Sequence, residues 1–384
     1  MKKLTVLFLF FSVLNASAQD SVIRKLPFLR LNYQVGNVLP TNAFVQGENQ
    51  KGQPIKAYQS GAIELGWQTN GSKQWHNDWN FPRVGVGFYT ADFFNDEELG
   101  EPMALYAFFN NELWRKNKFC VNFEGAAGIT YNWKPWDPVT NPSNMAIGSY
   151  NTVYLDFGFR AQYMIAKRWQ VDLAYTFTHF SNGASTLPNL GINMTGPKVA
   201  IAYHLQGNEF NFEKAPNTTF EKNNEFVLDF KYATKQVKFD TNITQIKSEY
   251  LGISYNVYGL QLGYLRHPAP KWKYGGGLDL VYDESTTAQL DVVDSIYQPV
   301  KTPAKYHWNF SAYITGQMIV GKTTFFADLG YYLHREEIPG QTPDFYQRFG
   351  TRWNLYKGFQ IGAALRAYNF GIADYIEWSI GYKI

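Results

Sequence analysis

Hydrophobic and polar residues alternate one by one along much of this chain. Between positions 169 and 178 the odd-numbered residues are large and apolar, and the even-numbered ones are polar or small: Trp169, Val171, Leu173, Tyr175 and Phe177 against Gln170, Asp172, Ala174, Thr176 and Thr178. Side chains of a β-strand point alternately to its two faces, so this period of two predicts a strand with one apolar and one polar face.

The same pattern recurs and predicts sixteen strands. The first eight are expected at about 28–38, 58–68, 82–91, 101–112, 119–131, 150–164, 168–179 and 196–206. The second eight are expected at about 225–236, 251–267, 271–284, 303–319, 322–334, 343–355, 358–367 and 372–384. The fold class is therefore all-β.

Composition favours an outer-membrane antiparallel β-barrel over a soluble sheet. Aromatic residues make up 18% of the chain and charged residues only 17%. Membrane barrels combine an apolar outer face, aromatic girdles and a polar lumen, and charges such as Asp156 and Arg160 share one strand face. A soluble β-sandwich would turn the apolar face inward, but the chain lacks a second set of apolar residues to fill such a core.

Loop lengths point the same way. If residue 28 begins an upward strand, the long polar connections 39–57, 92–100, 132–149 and 180–195 all fall at one end. The connections near 115–117 and 166–167 fall at the other end and are tight. Long outer loops and short periplasmic turns are typical of these barrels. The segment 69–81 is longer than such a turn needs.

The halves of the chain are predicted to form two barrels. Residues 19–206 and 225–384 each hold eight strands, and the polar stretch 207–224 between them does not alternate. That linker favours two eight-stranded units in tandem. One wider sixteen-stranded barrel is the alternative.

The first residues, 1–18, are predicted to be an export signal. Lys2 and Lys3 precede a short apolar run, and Ala16-Ser17-Ala18 forms a small-residue cleavage site. Export to the outer membrane of a Gram-negative cell follows from the signal and the barrel together. The net charge of +3 over 384 residues gives no reason to expect a nucleic-acid partner, and a single cysteine, Cys120, allows no intrachain disulfide.

Two polar residues interrupt the apolar face of the strand near 168–179. His179 and Ser181 continue the odd register, on a face where the strand pattern predicts apolar residues. Residues i and i+2 of a strand project from the same face, so they can form a base–nucleophile pair. The bland alternative is that Ser-Asn-Gly simply opens a loop. No phosphate-binding loop, zinc spacing or other cofactor pattern is present, and no cofactor or metal is expected.

The stretch His179-Phe180-Ser181-Asn182-Gly183, followed by Pro188-Asn189-Leu190-Gly191-Ile192, resembles the signature of the outer-membrane lipid A 3-O-deacylase family. This motif covers about fifteen residues, and the strand layout of 28–206 is compatible with the family's eight-stranded barrel. The resemblance implies a serine hydrolase site on the outer wall, facing lipid A of lipopolysaccharide in the outer leaflet.

Carried over by position, the resemblance makes Ser181 the nucleophile and His179 the general base. Asn182, Gly183 and Asn189 stand where amide donors can stabilise an oxyanion. The chain departs from the family at Asn193, where the family carries a glutamate that orients the histidine. An asparagine can accept a hydrogen bond from the imidazole but cannot stabilise the imidazolium by charge.

The sequence therefore predicts a membrane-embedded serine esterase that removes an ester-linked acyl chain from lipid A. One alternative is a non-enzymatic barrel, a porin or surface-binding protein, with a vestigial site. Another is an esterase acting on a different membrane lipid. The pattern assigns no role to residues 225–384 and leaves the oligomeric state open.

Overall fold

The structure is a computed structural model that describes residues 26–206, 220–239, 249–286, 288, 290–293, 296–300, 302–338 and 342–384. The predicted export signal, 1–18, and most of the predicted linker, 207–219, lie outside these residues. Residues 223 and 224, also assigned to the linker, already belong to a strand.

The first half of the chain folds into eight barrel strands with two short helices in its connections. Their bounds are β1 Leu26–Val38, α1 Ala43–Gln46, β2 Ala57–Gln68, α2 Gln74–Asp78, β3 Arg83–Asp92, β4 Gly100–Lys116, β5 Phe119–Trp133, β6 Val153–Met164, β7 Trp169–Ser181 and β8 Ile192–His204.

The second half adds ten strands and a 3-10 turn at Ala304–His307. Their bounds are β9 Asn223–Gln236, β10 Ser254–Ala269, β11 Trp272–Asp283, β12 Leu290–Val293, β13 Ile296–Pro299, β14 Trp308–Val320, β15 Thr323–His334, β16 Phe345–Asn354, β17 Phe359–Tyr368 and β18 Ile372–Lys383.

The sheet closes twice, so the chain forms two separate antiparallel barrels of eight strands. The first barrel closes where β1 pairs with β8, with Phe28 opposite His204. The second closes where β9 pairs with β18, with Val227 opposite Lys383. The predicted pair of eight-stranded units is confirmed, and the alternative of one sixteen-stranded barrel is wrong.

Both barrels present apolar side chains outward and polar ones inward. On β7 the outward residues Leu173 and Tyr175 are 59% and 57% exposed, whereas the inward Asp172 and Thr176 are buried. An eight-stranded barrel is just wide enough for its interior to be filled by side chains. Within the described residues, no helix is long and apolar enough to cross a bilayer.

Ion pairs cross the lumen of each barrel. In the first, Arg160 binds Glu124 at 2.6 Å and Asp172 at 3.2 Å. In the second, Arg348 binds Asp328 at 2.8 Å and Glu377 at 3.3 Å. Full burial makes these charges depend on one another, because removing one partner leaves an uncompensated charge in a low-dielectric interior.

The structure differs from the predicted layout in three details. The segment predicted as loop 285–302 contains the β12–β13 hairpin, which pairs only with itself. The predicted strand at 303–319 begins instead at Trp308, after the 3-10 turn, and the long connection 69–81 contains α2. Short local elements of this kind lack the long alternation on which the prediction relied.

The largest correction concerns the connection predicted at 180–195. β7 continues to Ser181 and β8 already begins at Ile192, so the loop is only 182–191. The reason is a reversal of polarity near this end of the barrel. Phe180, Ile192 and Met194 point inward and are fully buried in an apolar cluster that closes the lumen. Alternation continues here, with apolar side chains inside and polar ones outside.

Candidate functional site

The polar face at the end of β7 and β8 brings three of the predicted site residues together. His179 and Ser181 lie two apart on β7 and project outward, because Phe180 between them points into the lumen. Asn193 lies on β8 directly opposite His179 in the strand register. Directly paired residues of antiparallel strands have neighbouring side chains on one face, so the register itself assembles the cluster.

The three side chains form a continuous hydrogen-bonded chain. His179 Nε2 lies 2.9 Å from Ser181 Oγ, and His179 Nδ1 lies 2.6 Å from Asn193 Oδ1. Since the asparagine oxygen can only accept, Nδ1 carries the proton and Nε2 presents its lone pair to the serine hydroxyl. Ser181 is only 8% exposed although it lies on the outer face. This is the arrangement of a nucleophile, a base and a group that orients the base.

Thr41 fixes the orientation of the Asn193 amide. The Thr41 hydroxyl accepts from Asn193 Nδ2 at 3.0 Å and donates to the carbonyl of Leu39 at 3.5 Å. The amide nitrogen therefore faces Thr41, and the amide oxygen faces His179. The end of β1 is held in place by a backbone bond from Leu39 to the carbonyl of Asn193, 2.8 Å long.

The loop that follows Ser181 is ordered by Asn182. Its backbone N–H donates to Asn189 Oδ1 at 2.9 Å, and its side-chain amide donates to Ser149 Oγ at 3.0 Å and to the carbonyl of Thr186 at 2.8 Å. All the donors of Asn182 are thus used within the protein. Among the predicted oxyanion donors, Asn182 uses its donors to shape the loop, whereas Asn189 accepts a bond at Oδ1, and its amide nitrogen stays a candidate donor.

Gly183 remains as a candidate donor. Its φ of 60° is in the left-handed region, which places this residue in a tight turn directly after the strand that carries Ser181. Within the described part of the chain, its backbone N–H donates none of the hydrogen bonds that the loop makes. An amide left without an acceptor beside a nucleophile can bind a developing oxyanion.

Gly191 lies against the histidine from the other side of the loop. Its φ is 72°, and a Cβ at this position would stand 3.2 Å from His179 Cε1 and 3.0 Å from the carbonyl oxygen of Phe180. Its N–H donates to the carbonyl of Ala146 at 2.9 Å. Only a glycine gives both the backbone conformation and the space that the imidazole occupies.

Sequence reasoning did not single out Thr41, Ser149 or the structural role of Gly191. Thr41 and Ser149 lie in loops far along the chain from the motif, and no local pattern connects them with it. Gly191 belongs to the motif at 188–192, but the next strand was predicted to begin only at 196, so its position against His179 had no signal in the sequence. No cluster of three potential metal-binding side chains occurs among the residues for which the structure gives positions.

Two family models match the chain. The model of lipid A 3-O-deacylase (PagL) matches residues 61–202, which include His179, Ser181 and Asn193. The model of the acyloxyacyl hydrolase C-terminal domain matches residues 225–384, which form the second barrel. Together the two matches span most of the chain.

The solved structures that match the chain have low sequence identity and low TM-scores. An outer-membrane channel from Pseudomonas putida F1 is 10% identical with a TM-score of 0.19, covering 96% of this chain and 99% of its own. The ferric enterobactin receptor PfeA of Pseudomonas aeruginosa is 9% identical with a TM-score of 0.25, covering 91% of this chain and 54% of its own. Comparison with the curated proteins gave no significant match.

The two closed barrels with outward apolar walls define an outer-membrane β-barrel protein. Within it, residues 61–202 match the lipid A 3-O-deacylase (PagL) family and residues 225–384 match the acyloxyacyl hydrolase C-terminal domain. The resemblance drawn from the motif is thereby confirmed at the level of the family.

Proposed function

We propose that this protein is a serine esterase that removes an ester-linked acyl chain from lipid A in the outer membrane. The observation that carries the proposal is the chain of hydrogen bonds from Asn193 through His179 to Ser181, at 2.6 and 2.9 Å. The match of residues 61–202 to a deacylase family supports the reaction class. The assignment of the individual residues rests on their geometry.

In the proposed reaction, Ser181 Oγ attacks the ester carbonyl while His179 Nε2 accepts the hydroxyl proton. The protonated imidazole then gives that proton to the leaving alkoxide of the sugar, and the acyl chain stays on Ser181. A water molecule, with His179 again as the base, releases the fatty acid. No cofactor is required.

Asn193 holds the imidazole in the tautomer that this sequence of steps needs. Its oxygen accepts from Nδ1, and Thr41 keeps that oxygen turned toward the ring. A neutral amide gives the imidazolium weaker electrostatic stabilisation than a carboxylate does. The expected consequence is a slower enzyme, with the geometry of the pair retained.

We assign stabilisation of the oxyanion to the backbone N–H of Gly183. It follows Ser181 by two residues, and no acceptor within the described residues uses it. A backbone donor is fixed before the substrate arrives, so it stabilises the developing charge without reorganisation. Asn182 and Asn189 support this donor by holding the loop.

The position of the site suits a lipid whose ester lies near the membrane surface. Ser181 is at the loop end of an outward wall, and the side chains below it on β7 are apolar, including Tyr175 and Leu173. Lipid A carries its esters where sugar meets acyl chain. An acyl chain can lie along the wall while its ester reaches Ser181 from within the leaflet.

The porin alternative conflicts with the filled lumens. The Arg160 and Arg348 ion-pair networks span the two interiors, where a channel would need open space. An eight-stranded barrel gives little room beyond its own side chains. Esterase action on another lipid remains a possible outcome of the experiment below.

The test is mass spectrometry of lipid A from a Gram-negative host that expresses the protein. The wild-type chain should give lipid A lighter by one ester-linked acyl chain, and Ser181→Ala should leave lipid A intact. Thr351→Ala, which removes an outward hydroxyl from the second barrel, is the matched control and should behave as wild type. Intact lipid A with loss of acyl chains from phospholipids would identify the other esterase instead.

A further inference from the structure

The loop of the candidate site is bonded to the second barrel. Gln236, the last residue of β9, accepts a hydrogen bond at Oε1 from the backbone N–H of Leu187, 2.9 Å away. The backbone N–H of the same glutamine donates to the carbonyl of Ala184 at 3.3 Å. Both partners lie in the loop 182–191, within six residues of Ser181 along the chain.

Gln236 is itself held within the second barrel. Its Nε2 donates to the carbonyl of Gly252 at 3.2 Å and to Ser254 Oγ at 3.5 Å. With the amide nitrogen engaged on its own barrel, the amide oxygen is directed at Leu187. This side chain therefore links a rigid strand end to the loop of the site.

Two apolar residues of the second barrel pack on Gly183. A Cβ added to this glycine would meet Ile376 Cγ1 and stand 3.2 Å from Leu365 Cδ1. Leu365 and Ile376 pair across β17 and β18, and both are half-buried. Ile380 lies four residues further along β18 on the same outward face and is 63% exposed. The cover is thus local to the point where the loop of the site approaches.

A second group of contacts joins the barrels at their opposite ends. Trp79 Nε1, just after α2, donates to the carbonyl of Ile319 at 2.8 Å. The Trp79 ring lies 6.0 Å from that of Trp272 and 5.1 Å from Lys271 Nζ. Contacts at both ends fix how one barrel stands against the other, so the bonds of Gln236 are part of a defined interface.

We propose that the second barrel completes the active site of the first: Gln236 positions the loop 182–187, and Leu365 with Ile376 holds Gly183 in place beneath it. The inference rests on the proposed esterase function and adds a role for the second barrel. Gln236 is a positioning residue in this account, because it touches the loop and not the reacting atoms. Its effect reaches the reaction through the Gly183 N–H.

The kinetic test compares two glutamines of the second barrel in the full-length protein. Gln347 Oε1 also accepts a backbone N–H, that of Phe370 at 2.8 Å, but within its own barrel. With lipid A in mixed micelles, Gln236→Met should lower kcat by about tenfold or more with little change in KM, since a displaced loop weakens stabilisation of the transition state. Gln347→Met should keep wild-type kcat.

Conservative replacement gives a further check. Gln236→Glu keeps an oxygen able to accept from Leu187 but loses the donor to the Gly252 carbonyl, so it should recover part of the kcat lost in Gln236→Met. A packing role alone would not distinguish these two side chains of similar length. Ile376→Ala should lower kcat in the same direction, while Ile380→Ala, on the same strand and face, should leave it unchanged.

Hydrogen exchange measures the positioning independently of hydrolysis. In Gln236→Met, the amide of Leu187 should exchange faster than in the wild type, and in Gln347→Met it should not. Equal kcat in Gln236→Met and wild type, or unchanged exchange at Leu187, overturns the inference. If the wild-type protein cleaves no lipid, the esterase proposal is contradicted, and so is the role of Gln236 in catalysis. The exchange data would then report only on the order of the loop.

Discussion

The two barrels share one construction, yet they differ in what their outer walls carry. Each has eight antiparallel strands, an apolar outside and a buried arginine bound by carboxylates. At the loop end of β7, the first barrel turns His179 and Ser181 outward and Phe180 inward. At the corresponding end of β17 and β18, the second barrel turns Leu365 and Ile376 outward. The shared pattern specifies the barrel, and a few outward residues specify what it can do.

The comparison also assigns different tasks to the walls. In the proposed function the polar cluster of the first barrel carries out the reaction, whereas the apolar pair of the second packs against the loop of the first. Neither task changes the strand pairing that closes each barrel. Function here is added to a fold without altering it.

The largest expected loss of activity comes from comparing alanine variants of two histidines at strand ends. His179→Ala removes the base and should reduce deacylation by about a thousandfold or more, as loss of a triad member does. His334→Ala removes the exposed histidine at the end of β15 in the second barrel and should change nothing. Rates are measured on purified protein with lipid A, and heat-modifiable gel migration shows that each variant is folded.

The buried arginines should be equally important in the two barrels. Arg160→Gln and Arg348→Gln each leave buried carboxylates without their cationic partner. Each should therefore destabilise its barrel by about 3–5 kcal/mol. Denaturant unfolding in detergent, followed by tryptophan fluorescence, measures the loss. A clear loss of unfolding free energy in one barrel and none in the other would show that only one barrel depends on its buried ion pairs.

Two glycines with positive φ separate the effect of a clash with His179 from the cost of the backbone conformation alone. Gly191 and Gly52 have φ of 72° and 61°, but only Gly191 has His179 within 4 Å of an added Cβ. Gly191→Ala should therefore displace the imidazole and lower kcat by about tenfold or more. Gly52→Ala carries only the conformational cost of about 1 kcal/mol, and its kcat should be that of the wild type. Equal losses of kcat would contradict the contact with His179.

The smallest expected changes concern Asn193. Asn193→Ala removes the acceptor for Nδ1 and should lower kcat by about tenfold. Asn193→Asp places a carboxylate at the same distance, and its charge stabilises the imidazolium, so activity should be kept or raised. Steady-state rates near neutral pH decide this, and an Asp variant slower than the Ala variant would exclude an orienting role for position 193.

Much of the fold could be predicted because the alternation of apolar and polar residues within a strand shows which side chains point outward and which point inward. All sixteen barrel strands were identified in this way. The ends of β7 and β8 were missed because polarity reverses there: Ile192 and Met194 fill the closed end of the lumen, so apolar residues signal the inside instead of the lipid. The hairpin β12–β13 and helix α2 were too short to leave a periodic signal.

The site was only partly accessible to sequence reasoning. His179 and Ser181 stood out because they are two apart on an apolar face, and Asn193 entered through the family resemblance. Its place opposite His179 depends on strand register, which is fixed by pairing along the whole hairpin. Thr41 and Gln236 reach the site from loops and from another barrel. Such contacts depend on tertiary packing, which no local pattern encodes.

The central claim is that Ser181 is an activated nucleophile on the outer wall of the first barrel. The most direct measurement is peptide mass spectrometry of purified wild-type protein after reaction with a long-chain alkyl fluorophosphonate, which phosphonylates activated serines. We expect one adduct, on Ser181, and its loss in His179→Ala, because the hydroxyl reacts only when the imidazole accepts its proton. An unlabelled Ser181 in folded protein, or equal labelling in His179→Ala, would contradict the account.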